Sequence, residues 1–266
     1  MKTVAKLYAN PEGEWQRLFR DAYHTLEFHV NMHYIRKYFP PKAKVLDAGG
    51  GPGRYTLELC RLGYEVVLLD IASGCIDFAK SQVSSEPKPL RRRLTECVVG
   101  DIRDLSRFER DHFDAVLCFD PLSYLPDPED RVKAVSELVR VVKPKGIVCL
   151  SGRGYLAVIR HMLLHFRHEL FDSAFEQLMK AGNNMTGGVL VHYFRAHEIR
   201  RLAESCGLTT LEMAGCEGLS SGLREATNLL GEDEEKWQQW VDVVLETSAE
   251  PAVVDMAQHM LYVGRV

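Results

Sequence analysis

What the sequence lacks narrows it first. It has no surplus of positive charge: 33 Lys and Arg face 37 Asp and Glu, a formal charge of −4. Nothing therefore supplies a basic surface able to hold a phosphate backbone unaided, which argues against nucleic acid as a partner. Long hydrophobic runs are missing too. Stretches such as residues 66–69 and 115–119 fall far short of the roughly 18 residues a membrane helix needs. The polar start at Met1-Lys2-Thr3 has no signal-peptide core, so a cytoplasmic location is expected. No two of the seven cysteines have CxxC spacing. Most sit within apolar periodic segments, where a reduced thiol behaves as a small hydrophobe. There is no internal repeat and no low-complexity tract. What is there, 46% hydrophobic and 26% charged side chains over 266 residues, is an ordinary globular composition.

From residue 44 onward, short apolar runs alternate with helical patterns. Strands are expected over 44–49, 65–71, 95–102, 113–120, 147–151, 208–216 and 260–266. Helices are expected over 54–63, over 73–81 with Ser73 as its cap, over 128–142 and over 198–206. In 128–142 the inward positions are Val132, Val135, Val139 and Val142. Such alternation with short links predicts an α/β fold, a parallel sheet covered on both faces. The rhythm breaks twice. Residues 155–188 read as helical and strand-free. Residues 217–259 carry an amphipathic stripe of Trp237, Trp240, Val241, Val244 and Leu245. The organisation expected is an N-terminal helical cap (1–43), a cofactor-binding core (44–153), a helical lid (154–194) and a C-terminal part of the core (195–266) interrupted by 217–259.

The stretch from Val45 to Gly53, VLDAGGGPG, is the most informative. A Gly-rich turn between strand and helix lets backbone approach a ligand that a Cβ would repel. At the end of a first strand it marks the nucleotide-binding point of a doubly wound sheet. A dinucleotide loop requires G-x-G-x-x-G/A around a pyrophosphate, but the third position here is Arg54. Asp47 repels a pyrophosphate and attracts a cationic ligand. S-adenosylmethionine, with an ammonium and a sulfonium and no phosphate, satisfies both conditions; a nicotinamide dinucleotide does not. Asp70, ending the second strand, is placed to accept from ribose hydroxyls. Asp101 ends the third strand where an adenine amino group would lie, and Ile102 flanks the ring.

These residues resemble a family. LDAGGGPG, LLDIA, GDIRDL and FDAVLCFDPLSYL follow the ordered motifs of class I S-adenosylmethionine-dependent methyltransferases, in particular the small-molecule and quinone-biosynthesis type. The resemblance spans about residues 44–153, and more loosely 193–208. It implies a doubly wound seven-stranded sheet in the order 3-2-1-4-5-7-6 with the last strand antiparallel. It also implies a cofactor site of Asp47, Gly49, Gly51, Asp70, Ile71, Asp101, Ile102 and Phe119, the last through its backbone beside the methionine moiety. The function implied is methyl transfer to a small, largely apolar molecule. Nucleic-acid or protein N-methylation, or cofactor binding without catalysis, are the alternatives.

Asp120-Pro121-Leu122-Ser123 is similar to the [DN]PPY motif of methyltransferases acting on planar amino groups. It lacks the second proline, and Tyr124 comes one residue late for the stacking position. His161, His165 and His168 share a helical face without a fixed acidic partner, so no metal is expected. Arg91-Arg92-Arg93 reads as a solvated loop. If the methyl acceptor requires a base, the titratable candidates are His192, Tyr124 and Tyr193. The connections holding 155–188 and 217–259 begin on the sheet's ligand-binding edge, and the N-terminal segment 14–38 is expected to join them. They are expected to roof the acceptor pocket, with Tyr23, His24, Phe28, Phe166, Leu170, Phe171, Met179, Met185 and the Trp237 stripe as apolar lining.

Overall fold

The computed structural model describes residues 2–8 and 10–266. The chain opens with α1 (Lys2–Leu7), α2 (Pro11–Arg17) and α3 (Ala22–Tyr38). β1 (Lys44–Ala48), α4 (Arg54–Arg61), β2 (Glu65–Asp70), α5 (Ser73–Ser84), α6 (Lys88–Arg91) and β3 (Leu94–Val99) follow. Next come β4 (Phe113–Phe119), α7 (Pro128–Arg140) and β5 (Val142–Arg153). The segment expected as a lid holds α8 (Tyr155–His165), α9 (Ser173–Ala181) and a hairpin of β6 (Asn183–Thr186) and β7 (Val189–His192). α10 (Ala196–Ser205), β8 (Thr209–Gly215), α11 (Arg224–Leu230), α12 (Glu234–Thr247), α13 (Pro251–Met256) and β9 (His259–Arg265) complete it.

Seven strands form one sheet in the order β3-β2-β1-β4-β5-β9-β8. β1 to β5 pair in parallel, and β9 runs antiparallel to both of its neighbours. Counting only sheet strands, this is the expected 3-2-1-4-5-7-6. The chain turns left from β1 to β2 and right to β4, which opens a crevice at the carboxyl ends of β1 and β4.

Alternation along β1 feeds two cores. Leu46 and Ala48 join the cluster under α7 and α10, with Leu138 and Ile199. Val45 joins the opposite cluster, with Leu26, Val30 and Ile35 of α3 and Val241 and Val244 of α12. All three of those α3 side chains are fully buried, so the helix expected as a cap is a structural layer of the core. The Trp237 stripe packs on the same cluster, and Trp240 Nε1 donates to Ser220 Oγ at 2.8 Å. Core packing accounts for the stripe.

Four local expectations change. β5 begins at Val142 because Pro144-Lys145-Gly146 forms an irregularity inside the strand: its register on β4 jumps between Phe113 and Ala115. α7 therefore stops at Arg140, and Val132 is 45% exposed. β3 stops at Val99, leaving Asp101 and Ile102 in the loop beyond it. The lid contains the β6–β7 hairpin, turning at Gly187-Gly188. Ser73 is the first residue of α5; Ala72 holds the cap position. All seven cysteines are free, and five of them are buried. No described helix is long and apolar enough to cross a membrane.

Candidate active site

The glycine loop is built around two carboxylates. Asp47, at the end of β1, is 2% exposed and accepts a 2.6 Å bond from Thr56 Oγ1. Gly49 has φ +79°, and a Cβ there would lie 2.2 Å from Pro121 Cγ. Only glycine lets β1 turn so close to the segment after β4. Gly51 donates its N–H to Asp70 Oδ2 at 2.9 Å, and Ala72 donates to Asp70 Oδ1 at 2.8 Å. Asp70 thereby ties the glycine loop to the start of α5. Gly53 caps α4 with φ +85°. Arg54, where a dinucleotide loop needs glycine, donates to the Trp15 carbonyl and stacks 3.6 Å from that ring.

Asp101 is held by Arg103, whose Nη2 reaches Oδ2 at 2.6 Å while Nη1 reaches Asp130 at the same distance. Burial pushes the Asp101 carboxyl up, but these bonds outweigh it and leave it below the ordinary range. Ile102 is buried beside it. The Phe119 ring meets Tyr55 edge-on at 4.9 Å. Asp47, Gly49, Gly51, Asp70, Ile71, Asp101, Ile102 and Phe119 all line one cavity of about 1410 Å³. A single small ligand occupies about 300–1,000 Å³, so there is room for a second molecule.

The rest of that cavity has a polar floor. Asp120, immediately after β4, is a non-glycine residue at φ +76°. Its Oδ2 accepts from Arg153 Nε at 2.9 Å, while Oδ1 is buried with no hydrogen-bond partner among the described residues. Arg153 also donates to the Tyr124 hydroxyl at 2.6 Å, and the Tyr8 hydroxyl donates to the same oxygen at 2.7 Å. Tyr124 is thus a buried hydrogen-bonding group here, not a free stacking platform of the kind a [DN]PPY motif presents. Burial, and then the Asp120 charge, push its phenol up to about 12. It holds its proton at neutral pH. A backbone strained at a functional position with an orphaned carboxylate oxygen is the pattern expected of a reaction site. Sequence reasoning weighed Asp120 only as part of an incomplete [DN]PPY motif and did not single out Arg153.

The other candidates divide. Tyr124 and Tyr193 line the cavity, and the Tyr193 hydroxyl pairs with Thr186 Oγ1 at 2.7 Å. His192 does not line it: its ring is buried between Asn183 (2.7 Å) and Glu198 (2.6 Å), fixing the hairpin to α10. Both of its ring nitrogens are thus engaged within the protein. Tyr23, His24, Phe166 and Met185 are on the wall. Phe28 stacks on Tyr55 instead, Leu170 packs within the lid, and Phe171 and Met179 are exposed. His161 and His165 lie 4.7 Å apart on the cavity side of α8.

A buried ionic cluster, marked by no local sequence pattern, stands in the cavity wall. Arg17 forks onto Glu27 at 2.6 and 3.1 Å. His259 Nδ1 lies 2.6 Å from Glu217 and 3.5 Å from Glu27. Burial alone would lower the His259 pKa; the two carboxylates outweigh it and raise it to about 9. Glu27, Glu217 and His259 have the spacing of a metal site. The guanidinium and the imidazolium already neutralise the two carboxylates, so the donor set does not fit a cation.

Residues 46–150 match the family described as Methyltransferase domain. A putative methyltransferase, YqeM, of Bacillus subtilis is 30% identical over 115 residues, 43% of this chain and 44% of that protein. The ubiquinone biosynthesis O-methyltransferase of Xanthomonas axonopodis pv. citri is 30% identical over 123 residues, covering 46% and 48%. The chain thus spans less than half the length of these curated relatives. A solved structure of a SAM-dependent methyltransferase from Methanosarcina mazei shares the fold: TM-score 0.61, 22% identity, 87% of this chain and 96% of that one. Residues 46–150 thus match a methyltransferase domain, and at 22% identity the solved structure shows the shared fold.

Proposed function

We propose that this chain transfers the methyl group of S-adenosylmethionine to a small molecule with a largely apolar body, enclosed beneath the lid. One observation carries the reading: acids at or just beyond the ends of three adjacent strands line one cavity that also takes in Phe119, Asp120 and the chamber under α8. Val158, Met162, Phe166, Met185 and Leu223 give that chamber its apolar wall. The Xanthomonas relative is named a ubiquinone biosynthesis O-methyltransferase, a name compatible with such a wall.

S-adenosylmethionine supplies an already activated methyl on a sulfonium. The protein contributes positioning and exclusion of water. Asp70 is placed for ribose hydroxyls, Asp101 and Ile102 for the adenine, and Asp47 lends negative charge to the methionine end. Tyr124 and Tyr193 present hydroxyls at the chamber, and Tyr124 acts as a donor because it keeps its proton. Calorimetry with S-adenosylmethionine and with NAD separates this reading from a dinucleotide enzyme. Incubating metabolite extracts with methyl-labelled cofactor tests transfer. Label found only in macromolecules would overturn the small-molecule acceptor.

Asp47 makes the affinity depend on pH. Burial, with a further contribution from Asp70, raises its carboxyl to about 6 despite the Thr56 bond. A cationic ligand favours the ionised form, so binding releases a proton below that pH. If the bound value returns to about 4, affinity falls roughly tenfold from pH 7 to pH 5. Titrations in buffers of different ionisation enthalpy should show proton release near pH 5.5. An affinity flat across that window would remove Asp47 from the cationic end of the site.

A further inference from the structure

We infer that Arg160 anchors a carboxylate carried by the methyl acceptor. The inference rests on the methyltransferase reading and names the polar end of its substrate.

Arg160 stands on α8 and lines the chamber with Tyr23, Gly222 and Gln258. Three segments fix its position. Its Nη2 donates to Ser221 Oγ at 2.7 Å, and that hydroxyl donates onward to the Met256 carbonyl at 3.0 Å. The guanidinium lies against the Gly222 backbone: a Cβ there would come within 2.5 Å of Nε and 2.9 Å of Cζ. Gly222 has φ +82°, so the position favours glycine on both counts. Beside it the Tyr23 hydroxyl, on α3, donates to Gln258 Oε1 at 2.8 Å.

What this guanidinium lacks is an anion. Arg17 faces Glu14 and Glu27, Arg153 faces Asp120, and Arg224 faces Asp21. Arg54 directs two donors at the Trp15 carbonyl. Arg20, exposed at the rim, reaches only His24. Arg160 is half-buried and carries five donors. Among the described residues, its one side-chain partner is a neutral hydroxyl, and no carboxylate lies within 4.0 Å. A pre-oriented guanidinium with unused donors, lining the cavity, matches the planar two-oxygen geometry of a carboxylate. The nearby wall of Val158, Met162 and Phe166 then takes the acceptor's apolar body.

The test uses the full chain saturated with S-adenosylhomocysteine, titrated with benzoate and with its neutral isostere benzamide. Benzoate should bind at least tenfold more tightly. Arg160→Gln should abolish that preference and Arg160→Lys should retain part of it, with S-adenosylhomocysteine affinity unchanged in both. Equal binding of the two probes to the wild-type protein overturns the proposal. So does a preference that survives in Arg160→Gln. Failure of the wild-type protein to bind S-adenosylhomocysteine would instead bring down the methyltransferase reading beneath it.

Discussion

Arg17→Met is expected to destabilise the protein by about 3 kcal/mol, the lower end of the range for breaking a buried pair from one side. The lower end applies because the Arg17 side chain is 29% exposed, and water replaces part of what it provides. The Glu27 side chain beneath it is only 8% exposed. Burial would raise the Glu27 carboxyl, but Arg17 first, and then His259, hold it down at about 2. Without Arg17, two buried carboxylates share one imidazolium. The double variant Arg17→Met/Glu27→Leu removes both charges and should recover most of the loss. Urea denaturation of the three proteins measures this, and equal midpoints for wild type and Arg17→Met would refute it.

The same cluster sets a pH window. His259 is raised to about 9 from an ordinary 6.5. Its stabilisation is therefore complete below about 6.5 and is lost as pH rises through 9. Glu27 is lowered to about 2 from 4.5, so its contribution is present above 4.5 and fades as pH falls through 2. The cluster stabilises most between those limits, near pH 4.5 to 6.5. Its distance from the glycine loop in sequence does not separate it from the site: Arg17 and His259 both line the cavity.

That cluster also marks where sequence reading stopped. β1 to β5 were legible because each strand and its helix lie side by side in the chain, and alternation of short apolar runs records them. The three acids expected to hold the cofactor line one cavity because each lies at or just beyond the end of a strand that is visible locally. Glu27, Glu217 and His259 come from three remote segments, and nothing near any of them distinguishes a buried charge from a solvated one. The β6–β7 hairpin was missed although Gly187-Gly188 is a two-residue turn signal, because its strands are four residues each and flanked by helical patterns. The pairing of Asp120 with Arg153 was missed for a different reason. Read against a [DN]PPY template the segment looks degenerate, whereas the structure gives it another use, an ion pair that fixes Tyr124. The Trp237 stripe was correctly read as amphipathic, but its surface is taken by α3, which the sequence placed outside the core.

Asp70→Ala should weaken S-adenosylmethionine binding by about 1–3 kcal/mol, roughly 5- to 150-fold, the scale of losing a charged hydrogen-bond partner. Two effects combine. The ribose hydroxyls lose their acceptor, and the backbone N–H groups of Gly51 and Ala72 lose theirs. The second effect loosens the glycine loop even before ligand arrives, so a modest fall in stability should accompany the loss of affinity. Asp70→Asn separates the two. Its amide keeps one oxygen for one N–H but turns an NH2 toward the other, and it carries no charge for the ribose. It should lie between wild type and Asp70→Ala in affinity while staying closer to wild type in stability. Asp101→Ala provides the contrast. Arg103 already occupies the Asp101 carboxylate, at 2.6 Å through Nη2. Its removal therefore frees a guanidinium that Asp130 still holds, and orphans no backbone donor beyond that of Arg103. The order of affinities expected by calorimetry is wild type, Asp101→Ala, then Asp70→Ala. An Asp70→Ala protein that binds the cofactor as tightly as wild type would take Asp70 out of the ribose site and leave it a purely structural tie between the glycine loop and α5.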